Sequence, residues 1–123
     1  PVITPLDENL WLYQNLYELL VTAGKIEKET GGGTMQSYYS NILDALIFSL
    51  YFNESMNREF LLLRSELYDT IPKILPENME RQKLAKSIFE TLYDKTNPVR
   101  KVLFYLDDIP KVSKIKSVFT QNN

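Results

Sequence analysis

Tyr39-Ser40-Asn41-Ile42-Leu43-Asp44-Ala45-Leu46-Ile47-Phe48-Ser49-Leu50-Tyr51-Phe52-Asn53-Glu54 is an apolar run with one acidic residue, Asp44, set inside it. Starting from Thr34, the apolar positions Met35, Tyr38 or Tyr39, Ile42, Leu46 and Leu50 recur every three or four residues. That is the period of one helix face, and no strand of period two is consistent with it. The stretch therefore predicts a helix of an all-α protein with one buried face. Asp44 falls on the side of Ser37, Ser40, Phe48 and Tyr51. A desolvated carboxylate needs a partner, so it reads either as a hydrogen-bonding position against a neighbouring helix or water, or as an active-site acid.

The same period extends in both directions. Upstream, Thr4-Pro5-Leu6-Asp7 carries helix-start chemistry: a capping hydroxyl, a proline for the first turn and an acid for the positive helix end. The stripe that follows runs through Leu12, Leu16, Leu19 and Ala23, with Tyr13, Tyr17 and Leu20 beside it and Trp11 at the edge. Gly24 weakens the end of this helix, and the polar run Lys25 to Thr30 leads into Gly31-Gly32-Gly33 as a linker. Thr34 is placed to cap the next helix.

Downstream, Asn53-Glu54-Ser55 marks a turn. A third helix is expected from Ser55 to Tyr68, with Met56, Phe60, Leu63 and Leu67 inward and Leu61 and Leu62 widening the buried face. Pro72 and Pro76 interrupt the pattern. A fourth helix opens at Pro76 or Glu77 and turns Leu84, Ala85, Ile88, Phe89 and Leu92 inward, leaving Glu80, Arg81, Lys83 and Lys86 to solvent. Asn97-Pro98 starts a fifth, Pro98 to Leu106, with Val99, Val102, Leu103 and Leu106 as its stripe. Ile109-Pro110 opens a short sixth carrying Val112, Ile115 and Val118 or Phe119. The expected architecture is a small antiparallel helical bundle of five to six helices. Residues 1–30 form the N-terminal helix and linker, and residues 31–123 form the bundle, packed with that helix as one domain.

A chain of 123 residues, 44% hydrophobic and 24% charged, is long enough and apolar enough to bury a core. No apolar run reaches the roughly 18 residues of a membrane span and no signal peptide is visible, so a cytoplasmic location and no membrane partner are expected. The chain has no cysteine and no histidine. Disulfides, thiolate metal sites and imidazole-based catalysis are excluded by inventory, including helical RNA-cleaving toxins that depend on histidine.

Net charge is −2 but is unevenly distributed: residues 81–123 hold 9 Lys/Arg against 4 Asp/Glu, while residues 1–80 hold 5 against 12. Arg100, Lys101, Lys111, Lys114 and Lys116, with Lys95, give the C-terminal part its positive balance. They form either a solvated face or a patch for DNA phosphates. The glycine run before Thr34 resembles a phosphate loop only superficially, because the lysine and spacing are missing and a helix precedes it. Asp69, Glu77, Glu80, Asp94, Asp107 and Asp108 lack the compact carboxylate–lysine arrangement of a metal-dependent nuclease. The aromatic residues fall mostly on helical stripes and read as core, with Tyr13 and Tyr105 the least committed to it.

At this point the Tyr39–Glu54 pattern becomes specific. It resembles the helix near the C-terminus of type IIG restriction-modification enzymes, in which an N6-adenine DNA methyltransferase is fused to an endonuclease. That helix follows the target-recognition domain and usually reads Ile-Asp-x-x-Val-Tyr-Glu-Leu-Tyr followed by Phe or Leu. The match runs from Ile42 or Leu43 through Phe52, with Phe48 in place of the tyrosine and Ser49 in place of the glutamate. Asn97-Pro98-Val99-Arg100 is similar to the family's His/Asn-Pro-Ile/Val-Arg step, and Ile109-Pro110-Lys111-Val112 with Ile115 to its closing segment. Ile3-Thr4-Pro5 resembles the exit from the recognition domain.

The resemblance implies a non-catalytic helical module that supports target recognition and DNA positioning. Its partners would be the remainder of the parent enzyme and double-stranded DNA. S-adenosylmethionine and magnesium would serve the parent, since the family's cofactor, Asn-Pro-Pro-Tyr and nuclease motifs are absent from these residues. No catalytic residue, metal ligand or cofactor site carries over. The alternative is a free-standing helical module for protein interaction or dimerisation, binding a partner helix through an apolar groove. Oligomeric state is not legible in the sequence.

Overall fold

A computed structural model of the chain describes residues 10–49 and 57–107. Within them are five helices and no strand: α1 Leu10–Thr30, α2 Thr34–Phe48, α3 Asn57–Thr70, α4 Asn78–Tyr93 and α5 Pro98–Asp107. The expected opening of the first helix at Thr4, the turn at Asn53 to Ser55, the inward positions Leu50 and Met56 and the helix opened by Ile109-Pro110 lie outside the described residues.

α2 is the central element, packed against each of the other four helices. Its buried residues are Met35, Tyr38, Tyr39, Ile42, Ala45, Leu46 and Phe48, and both Ile42 and Leu46 are fully enclosed. A helix apolar on several sides has to be buried on several sides, which explains why the most apolar segment sits at the middle. The inward stripes of the other helices meet around it: Leu12, Leu16, Leu19, Ala23 and Ile26 of α1; Phe60, Leu63 and Leu67 of α3; Ala85, Ile88 and Leu92 of α4; and Val99, Val102, Leu103 and Leu106 of α5.

α1 and α2 form an antiparallel hairpin. The helix does not end at Gly24: Lys25 to Thr30, expected as linker, form the last turns of α1, and Ile26 is buried among them. Burial of Ile26 on the α1 stripe holds this polar segment in helical form. The connection shrinks to Gly31-Gly32-Gly33, and Gly31 and Gly32 take φ values of 87° and 94°, where a side chain would be strained. Gly24 lies against Gln36 of α2, and a Cβ there would be 2.5 Å from Gln36 Nε2.

The expected width of α3 is too large. Leu61 and Leu62 are 51% and 48% exposed, while Phe60, Leu63 and Leu67 are enclosed. Among the described residues, α3 is covered on one face only. Tyr17, read as part of the α1 stripe, is exposed as well. The loop between α3 and α4 is fastened to α1 by Asn15, whose Nδ2 donates to the carbonyls of Pro72 (2.7 Å) and Lys73 (2.8 Å). Arg81 joins the start of α4 to α1 through Glu18 (3.2 Å) and donates to the Pro76 carbonyl at 2.7 Å.

Candidate functional site

Two helix starts are built by polar side chains, and both bear on the candidate motifs. The N-cap position of α2 is Gly33, with no side-chain cap of its own; Thr34 is the first helical residue, not the cap. The free N–H groups are instead met from α1. Glu27 Oε2 accepts from the Met35 backbone at 2.9 Å and Oε1 accepts from the Gln36 backbone at 2.9 Å. A helix N-terminus attracts an anion, and here the chain supplies its own. The glycine run is a hairpin turn whose anion position is filled by Glu27.

At α5 the Asn-Pro start is realised as expected. Asn97 Oδ1 accepts from the Val99 backbone at 2.9 Å, and Pro98 occupies the first turn, where no donor is needed. Asn97 is buried, and its Nδ2 donates to Glu66 Oε2 of α3 at 3.1 Å. The same amide thus starts α5 and ties it to α3. Three residues earlier, Asp94 Oδ1 accepts from the Thr96 backbone (2.8 Å) and hydroxyl (2.6 Å). These bonds, with Arg100 nearby, hold the Asp94 carboxyl below its ordinary range.

Arg100 has a structural task. Its guanidinium donates to the Tyr93 carbonyl and lies over the Tyr93 ring, 3.9 Å from the centroid. Tyr93 in turn stacks on Phe89 and meets Tyr38 edge-on, with centroids 4.9 Å apart in both pairs. Tyr38 donates its hydroxyl to the Leu92 carbonyl at 2.6 Å, and Tyr39 donates to Ala85 at 2.7 Å, which joins α2 to α4. Burial pushes the Tyr38 hydroxyl up to about 12, against the opposing pull of Arg100, and pushes Tyr39 up as well.

The cations expected to contact DNA are distributed unevenly. Arg100 and Lys101, together with Lys95 and Phe104, line an open concavity of about 440 Å³ at the turn from α4 to α5. Lys95 and Lys101 are exposed, and among the described residues neither has an ion-pair partner. Lys111, Lys114 and Lys116 lie outside the described residues. Phe104, 66% exposed beside these cations, was not marked by sequence reasoning. The available signal was its place off the Val99, Val102, Leu103 and Leu106 stripe. Such an arrangement can hold an anion by charge and a flat apolar group by contact.

Asp44 is half-buried on α2 and is not without a partner. Among the described residues no three acidic side chains gather where a metal ion could be held, and no helix is long and apolar enough to cross a membrane. No protein-family model, curated protein or solved structure matches the chain.

Proposed function

We propose that this chain is the helical C-terminal module of a type IIG-like restriction-modification methyltransferase. In this reading it positions double-stranded DNA by phosphate contacts, and the chemistry resides in other parts of the parent enzyme. The resemblance of Tyr39–Glu54 and Asn97–Arg100 to that family supports the assignment to a parent. Within the described residues the matching positions form joints: α2 packs on every other helix, Asn97 links α3 to α5, and Arg100 clamps α5 onto Tyr93. Residues with these tasks maintain a shape instead of performing catalysis.

The observation that carries the DNA contact is the concavity lined by Lys95, Arg100 and Lys101. Exposed cations attract phosphates regardless of base sequence, which positions a duplex without reading it. S-adenosylmethionine and magnesium are assigned to the parent.

The test is binding of a labelled DNA duplex across a salt series, comparing the chain with a Lys95→Ala/Lys101→Ala variant and with a Lys111→Ala/Lys114→Ala/Lys116→Ala variant. Binding that weakens with salt, with a slope smaller by about one for each lost phosphate contact, is expected. Absent binding, or binding unchanged in both variants, removes the DNA contact. A protein-interaction module is the second reading, favoured by exposed Leu61 and Leu62 on α3. Self-association in light scattering that a Leu61→Glu/Leu62→Glu variant abolishes would select it.

A further inference from the structure

We propose that the α4–α5 concavity takes an unpaired nucleotide, with the base against the Phe104 ring and the flanking phosphates at Lys95 and Lys101. This deepens the DNA-contact reading and rests on it. Phe104 is the residue that phosphate binding leaves unexplained. α5 buries Val99, Val102, Leu103 and Leu106, and Phe104 lies off that face with 66% of its surface in solvent.

Helical spacing gives the ring its neighbours. Arg100 and Lys101 precede Phe104 by four and three residues, so all three share one side of α5, and Lys95 reaches the same concavity from the preceding turn. Arg100 cannot fold over the Phe104 ring without giving up Tyr93, whose ring centroid is 3.9 Å from its guanidinium carbon. The aromatic face is therefore left open by a cation that is itself held in place.

Charge is segregated in a way that suits a nucleotide. Glu90 and Asp94 line a different concavity, shared with Thr91, Thr96, Asn97 and Pro98, and Asp94 is engaged with Thr96. Among the described residues, no acid lines the concavity of Lys95, Lys101 and Phe104. Its volume of about 440 Å³ lies within the roughly 300–1,000 Å³ of small-molecule sites. An aromatic ring among cations is how single-stranded nucleic acid is held: charge tracks the backbone and the ring stacks on a base. The bases of an intact duplex are already stacked on one another, so the ring selects an unpaired one.

The experiment titrates the full chain with a labelled single-stranded oligothymidylate and with an abasic strand of equal length. Stacking on one base is expected to make the base-bearing strand bind roughly 5- to 150-fold tighter. Phe104→Ala removes that difference and leaves abasic binding unchanged; thermal unfolding of the variant confirms that the fold is intact. Lys95→Ala/Lys101→Ala weakens both strands alike. Equal affinity for the two strands, or a difference that survives Phe104→Ala, overturns the nucleotide site while leaving the phosphate-contact reading in place. No salt-dependent binding of either strand or of duplex overturns both.

Discussion

Glu27 and Met35 are joined across the α1–α2 turn: the Glu27 carboxylate accepts the Met35 backbone N–H at 2.9 Å, and its second oxygen accepts that of Gln36 at the same distance. The end of one helix thereby caps the start of the next. Two charge-assisted bonds at a helix N-terminus satisfy orphan donors and also complement the dipole. Glu27→Ala is expected to destabilise the protein by about 1–2 kcal/mol, and Glu27→Gln, which keeps an acceptor but no charge, by about half as much. Urea unfolding midpoints measure both. Equal stability of the alanine variant and the parent chain would show that the turn closes without the carboxylate.

Asn97 is both a cap and a bridge, so its substitutions separate the two roles. Asn97→Ala loses the bond to Val99 and the bond to Glu66, at an expected cost of about 1–3 kcal/mol. Asn97→Asp keeps the cap and places a second carboxylate beside Glu66. The coupled pair raises one carboxyl pKa in the folded state, so stability is retained at acidic pH and lost as pH rises through that value. The aspartate variant is therefore expected to approach the parent chain near pH 4 and to fall behind it at pH 7 in matched thermal melts.

Tyr38 contributes to the alkaline limb together with Tyr39, whose hydroxyl burial also pushes up. The Tyr38 hydroxyl ionises near 10 when free but only at about 12 in the fold, because burial disfavours the charged form. The folded state therefore retains the proton through that interval, and stability is present below pH 10 and declines as pH rises toward 12. Tyr38→Phe is expected to lower neutral-pH stability by about 1 kcal/mol through loss of the Leu92 bond and to flatten the decline. Unfolding followed across alkaline pH, with tyrosinate absorbance recorded alongside, checks both effects.

Three successive leucines of α3 differ sharply in burial. Leu63 is fully enclosed, and truncating it to alanine is expected to cost about 2–5 kcal/mol. Leu61→Gln and Leu62→Gln, at half-exposed positions, are expected to stay within about 0.5 kcal/mol of the parent chain. Denaturant unfolding of the three variants decides whether α3 is covered on one face or on two.

Gly24 lies within α1, where a helix interior favours alanine over glycine by about 1 kcal/mol. A new Cβ would meet the far end of the flexible Gln36 side chain, which can rotate away. Gly24→Ala is therefore expected to raise the melting temperature, and Gly24→Ala/Gln36→Ala to raise it further. A drop in the single variant that the double variant relieves would mean that the amide is held firmly.

The helical class and the inward residues of α4 and α5 were legible because they depend on residues near one another in sequence. Periodicity assigns Ile42 and Leu46, or Val99 and Val102, to one face, and Asn97-Pro98 carries its own capping chemistry. The cations of the candidate site could be named from composition alone, and their grouping with Phe104 could not.

What only the tertiary structure decided involves partners far apart in sequence or faces that packing leaves bare. Thr34 was a sound local choice of cap, yet Gly33 takes the cap position and Glu27 supplies the carboxylate from the preceding helix. Lys25 to Thr30 read as linker because their side chains are polar, but the burial of Ile26 carries α1 to Thr30. Leu61 and Leu62 read as core because leucine is apolar, but no described helix covers that side of α3. Local sequence sets which backbone conformations are cheap and which side chains favour burial. Which side chains obtain it, and which carboxylate reaches which helix end, follows from how the other four helices fit around α2.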